Sequence, residues 1–173
     1  MNTKLFNPEV QAFINENLTS NLSTLILKGS PFSEINIQEL AQQIEGLQKA
    51  EKKLPIWFQT ENIFFPKKIN LEQTSSEATA FYKKEIISGD SIIDLTGGFG
   101  IDCTYFSKVF KEVHHCEMNE ELSDIVHYNC KAFNIQNIET HKGDSIETLK
   151  QLNKKFDWIY IDPSRRNDIK GKV

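Results

Sequence analysis

Cysteine is scarce in this chain and never paired in a motif. Cys103, Cys116 and Cys130 are scattered and no C-x-x-C occurs, so free thiols in a reducing compartment fit better than a disulfide framework. No apolar run approaches the roughly 20 residues of a membrane helix. The opening MNTKLFNPEV lacks a signal-peptide core. Positive charge is not in excess either: 20 Lys and Arg against 24 Asp and Glu leave a net charge of −4. That argues against broad, salt-driven coating of nucleic acid, while leaving room for a local basic patch. Internal repeats and low-complexity tracts are missing. The expectation is a cytoplasmic protein with no membrane contact.

A length of 173 residues allows one real core, with room for a small appended domain. Residues 1–70 read as a helical domain. Asn7-Pro8-Glu9 carries a cap, a first-turn proline and an acid near the positive dipole end. Val10, Phe13, Ile14 and Leu18 follow at helical spacing. A second helix is expected over 37–53, with Asn36 and Glu39 as a capping box and Ile37, Leu40, Ala41, Ile44 and Leu47 as its apolar stripe. Pro55 stops it. Trp57-Phe58 and Ile63-Phe64-Phe65 are extended in character and pack this unit onto the larger domain. A third helix is expected over 75–88, burying Ala78, Ala80, Phe81 and Ile86.

From residue 71 to 173 the pattern becomes β-turn-α. Strands are expected near 91–94, 113–117, 137–141 and 157–161, and helices near 101–110, 120–133 and 145–153. Such alternation implies an α/β, Rossmann-like parallel sheet with right-handed crossovers. Ligands of such sheets sit outside the carboxyl ends of the strands. Four clusters fall there: Asp94, Thr96, Gly97, Gly98 and Gly100; Glu117 and Asn119; Gly143, Asp144 and Ser145; and Asp162, Pro163, Ser164, Arg165 and Arg166.

A pyrophosphate site wants G-x-G-x-x-G, but Gly98-Phe99-Gly100 is followed three residues on by Cys103. A nicotinamide oxidoreductase is therefore a weak rival. Carboxylates repel pyrophosphate but suit a cation carrying a ribose diol, and S-adenosyl-L-methionine is such a ligand. His114-His115-Cys116 is not read as a metal site, because neighbours on one strand point to opposite faces; no metal is expected.

These motifs resemble the class I S-adenosylmethionine-dependent methyltransferases. DLTGGFG is similar to their first motif, with Thr96 in place of its first glycine. The resemblance makes Glu117 the ribose-binding acid and Asp144 the partner of the adenine amino group. It makes the 71–83 segment, with Gln73 and Ser75, the element closing over the methionine end. IDPSRR resembles the fourth motif at the substrate end, giving Asp162 and Pro163 a catalytic role. The family's amino-methylating members carry an aromatic where this chain has Arg165, and a second proline where it has Ser164. Ser164, Arg165 and Arg166 then become substrate contacts, with Arg165 and Arg166 suited to stacking on a base or holding phosphate. No Pro-Cys pair supports a covalent mechanism on a pyrimidine.

Spacing through this region is similar to the trimethylguanosine synthase-like and bacterial THUMP-like branch, so the resemblance implies an enzyme that methylates RNA. The alternative is a catalytically inactive methyltransferase-like module that binds RNA or a partner. Domains of this class carry three more strands after the fourth motif. The sheet is thus expected to be partial, with strand four an open edge available for self-association.

Overall fold

The computed structural model describes residues 1–163 and, beyond them, the backbone of 166–167 and 171–172. Ser164 and Arg165 lie outside the described residues, as does the side chain of Arg166.

The first helices follow from their caps. After a short 3-10 turn at Thr3–Phe6, α1 (Pro8–Glu16) begins on its proline. Helix α2 (Leu22–Lys28) was not expected from the sequence; the Asn21 side chain accepts from the Thr24 amide and starts it. Helix α3 (Ile37–Lys53) has the expected reciprocal capping box between Asn36 and Glu39.

Pro55 ends α3 and also opens α4 (Pro55–Gln59), so Trp57 and Phe58 are helical rather than extended. The proline lacks an N–H that a first helical turn would leave unpaired anyway, and its fixed φ favours helix. Helix α5 (Lys68–Gln73) splits from α6 (Glu77–Glu85), which Ser76 caps. Ala80 is buried as expected, but Ala78, Phe81 and Ile86 are exposed. The helix is shorter than the sequence suggested and turns a single narrow stripe inward.

Four parallel strands follow: β1 (Ser91–Asp94), β2 (Glu112–Glu117), β3 (Ile138–Lys142) and β4 (Trp158–Tyr160), in spatial order β3-β2-β1-β4. They alternate with α7 (Ile101–Phe106), α8 (Glu120–Ala132) and α9 (Ser145–Leu152). A two-residue ribbon, β5 (Arg166–Asn167) with β6 (Gly171–Lys172), pairs antiparallel. Strand β1 is wholly buried; Ile92 meets Phe106, Phe110 and Val113 on one face, and Ile93 joins Cys116 under Leu149 and Leu152 of α9 on the other. Strand β4 is an edge of the described sheet, with Trp158 and Ile159 partly exposed.

The largest core cluster runs from Leu5 and Ile14 through Trp57, Phe64 and Phe65 to Phe99, Tyr105 and Ile125. Its join is polar as well as apolar. The extended segment around Phe64 has no sheet partner, yet its amides are satisfied. The Asn129 amide both accepts from Phe64 N–H and donates to Phe64 C=O, each at 2.9 Å. The Gln43 amide does the same for Phe65, at 3.1 Å each way. Consecutive residues of an extended chain point their backbone groups to opposite sides, so α8 and α3 clamp one segment between them.

Candidate active site

A cleft of about 380 Å³ opens at the carboxyl ends of the strands. Its floor is the loop after β1, and each glycine there has its own reason. A Cβ on Gly97 would lie 2.4 Å from the buried His115 ring, and one on Gly100 would lie 2.8 Å from Val126. Gly98 instead has open space around it and a φ of +53°. Backbone sign also favours glycine at Gly100, whose φ is +75°, while at Gly98 the missing side chain also keeps the cleft open.

The loop is anchored to the end of β2. Glu117 accepts from the Gly98 amide at 2.9 Å and, through its other oxygen, from the Asn119 amide at 2.8 Å. Gly97 N–H donates to Cys116 C=O, and His115 Nε2 lies 3.1 Å from Gly98 C=O. Burial lowers the His115 pKa, so its ring is a neutral strut beneath the loop.

Asp94 does not line the cleft. It is 2% exposed, and its carboxylate accepts from the Thr96 amide and hydroxyl and from the Cys103 thiol. Thr96 Oγ1 in turn accepts from the Asp162 amide at 2.8 Å. Asp94 therefore positions the loop and, through Thr96, the start of the 162–163 segment. Burial dominates its titration and pushes its pKa up to about 7.

Two more expected contacts are turned onto their own backbone. Asn119 caps α8 by accepting from Leu122 N–H. Asp144 caps α9 by accepting from the Ile146 and Glu147 amides. Neither lines the cleft. Gln73, Ser75, Thr96, Gly97, Gly98, Glu117, Ser145, Asp162 and Pro163 do, and Gly100 closes the loop just behind.

Three residues not singled out from the sequence complete the rim. Asp102, in the first turn of α7, accepts from Ser75 Oγ at 2.9 Å and from Lys83 Nζ at 3.0 Å, both through Oδ2. Its Oδ1 is buried with no hydrogen-bond partner. Lys83 also donates to Tyr160 OH, and to Asp162 Oδ2 at 3.3 Å. Burial and the two carboxylates push the Tyr160 pKa upward, so the phenol stays protonated. An acid in the first turn of α7 was visible in the sequence as a helix-dipole feature. Lys83 and Tyr160 carried no such signal, because α6 and β4 meet only in the tertiary fold.

Among the described residues the lining thus offers three carboxylates, Asp102, Glu117 and Asp162, and no lysine, arginine or histidine. Lys83 pairs with Asp102 and Asp162, and no other described cation faces Glu117 or the second oxygen of Asp102. Such a lining is unsuited to pyrophosphate and suited to a positively charged ligand with hydroxyl donors.

Residues 89–164 match the family described as RNA cap guanine-N2 methyltransferase. A protein of Porphyromonas gingivalis W83 assigned as a methyltransferase superposes with a TM-score of 0.76 at 26% identity, covering 91% of this chain and 40% of that one. This chain therefore spans about two fifths of its length. An O-methyltransferase from Bacillus cereus in complex with SAH gives a TM-score of 0.49 at 19% identity, with coverage of 66% and 63%. No curated protein matches the chain. The parallel sheet with helices on both faces is the Rossmann-like fold of the class I methyltransferases. No helix among the described residues is long and apolar enough to cross a membrane.

Proposed function

We propose that this chain is the cofactor-binding part of an S-adenosyl-L-methionine-dependent methyltransferase acting on RNA. The observation that carries the reading is a cleft whose described lining carries three carboxylates and no basic side chain, above a glycine loop tied to Glu117. The residues fit the cofactor. Glu117 retains lone pairs for ribose hydroxyls, since a carboxylate accepts at about four sites and only two are used. The unpartnered Asp102 Oδ1 suits an ammonium group, and Gly98 leaves the floor free of side chains. Gln73 and Ser75 lie on the same side as Asp102. When bound, the cofactor supplies an electrophilic methyl group on a sulfonium.

The chain's own part in such a reaction is positioning. Thr96 holds the Asp162 amide, and Lys83 and Tyr160 hold its carboxylate. Asp162 and the Pro163 carbonyl are thereby fixed at the mouth of the cleft, where they accept hydrogen bonds from an acceptor's amine and aim its lone pair inward. The RNA reading rests on the match of residues 89–164 and on Arg165 and Arg166, which lie outside the described side chains.

Calorimetry with S-adenosylhomocysteine tests the cofactor assignment: binding is expected, weakened at least about tenfold in Glu117→Gln. Tritium transfer from labelled cofactor to total RNA, protein and metabolites tests the substrate. Binding without transfer by the longest native chain would favour an inactive RNA- or partner-binding module. A folded chain that binds NADH and not S-adenosylhomocysteine would overturn the proposal.

A further inference from the structure

On the face of the sheet covered by α9, away from the cleft, three ligand-type side chains converge. His114 of β2 stands opposite Glu139 of β3, and His141 stands opposite Cys116. Residues two apart on a strand share a face, so His114, Glu139 and His141 look the same way. His114 Nδ1 lies 2.8 Å from His141 Nε2 and 3.9 Å from Glu139 Oε2. His141 Nε2 lies 3.7 Å from Glu139 Oε1. Tetrahedral zinc, with bonds of about 2.0–2.1 Å, separates its ligand atoms by about 3.3 Å. The three separations bracket that value.

A second observation is independent of this triangle. The other nitrogen of His114, Nε2, meets Glu112 Oε1 at 2.6 Å, and Glu112 is paired with Lys154. A carboxylate behind a histidine fixes the proton on the far nitrogen and leaves the near one as a lone-pair donor, the support that metal-binding histidines commonly have. The His114 side chain is 3% exposed, stacked on His141 at an interplanar angle of 8° and edged by Phe156. It cannot swing away.

We propose that His114, His141 and Glu139 bind one zinc ion that clips the edge strand β3 to β2. Two imidazoles and one carboxylate are borderline donors that suit zinc better than magnesium or calcium. On binding, the hydrogen bond between the two imidazoles breaks, the neutral His141 ring moves its proton from Nε2 to Nδ1 by exchange with solvent, His114 Nδ1 and His141 Nε2 each pass a lone pair to the ion, and water takes the fourth position. His115, between them in sequence, points to the opposite face and takes no part. The site shares no residue with the cleft lining, so cofactor binding and zinc binding are tested separately.

The test is a zinc titration of the whole, metal-stripped chain against a chromophoric chelator, with cobalt as a spectroscopic probe. One ion per chain is expected, with the visible absorption of four-coordinate cobalt and a melting temperature that rises with zinc concentration. Glu139→Gln, at a largely exposed position, is expected to weaken binding at least about tenfold without disturbing the fold, and His141→Ala more. Glu112→Gln is expected to cost about 10–100-fold through the His114 ring. His127→Ala, a histidine paired with Thr140 away from the triangle, is expected to change nothing. Failure to bind zinc tighter than about 0.1 mM, or equal binding by Glu139→Gln and His141→Ala, would overturn the site.

Discussion

Replacing Asp94 by asparagine isolates one buried charge and gives a pH-dependent outcome. The carboxylate is fully buried beneath the loop and titrates near 7, against an ordinary value of 3.8. A raised acid pKa means that the folded state holds its proton where the unfolded chain has already released it. Asp94 therefore costs nothing below pH about 4. Its cost grows as pH rises from about 4 to about 7 and is constant above that. Every tenfold difference in proton affinity between the folded and unfolded chain is worth about 1.4 kcal/mol, so the full cost approaches roughly 4 kcal/mol at neutral pH and above. Asparagine keeps an oxygen for the Thr96 amide and hydroxyl and carries no charge. The assay is urea unfolding of both proteins from pH 4 to pH 9. The stability of Asp94→Asn relative to the parent should rise steadily to pH 7, by a few kcal/mol, and then level off. A difference that stays flat across this range would refute the claim that desolvation dominates at Asp94.

Asn129→Ala removes both bonds to Phe64 and leaves a buried N–H and C=O unpaired, so a loss of about 2–4 kcal/mol is expected in chemical unfolding. At Gly46, where α3 meets Phe65, a Cβ would sit 2.2 Å from Phe65 Cβ. Gly46→Ala should cost about 1–3 kcal/mol by overpacking, despite alanine's better helix propensity, as a lowered melting temperature would show. Lys83→Met strands the Asp102 carboxylate, with an expected loss of about 1–3 kcal/mol in thermal unfolding. The double variant Lys83→Met/Asp102→Asn should recover part of it, and a double as unstable as the sum of the singles would refute the coupling.

Local chemistry made much of the fold and part of the site legible in the sequence alone. The capping box of α3, the β-turn-α alternation and the glycine loop after β1 are each written in residues within a few positions of one another. Their structures follow from short-range hydrogen bonding and backbone sterics. Glu117 was legible for the same reason, as an acid closing a strand.

Tertiary structure alone decided the rest, because those features depend on groups far apart in the chain. Asp94 and Asp144 were read as ligand contacts, yet their carboxylates are taken up by nearby amides, and only the packed loop reveals which acids remain facing the cleft. Lys83, Asp102 and Tyr160 meet because α6, α7 and β4 converge at one rim. Side-chain amides of Gln43 and Asn129 clamp the Phe64-Phe65 segment, which no pairing pattern could announce. The His114–His141 pair was invisible for a related reason: along one strand the histidines at 114 and 115 diverge, and it is the register of β3 against β2 that supplies the second imidazole.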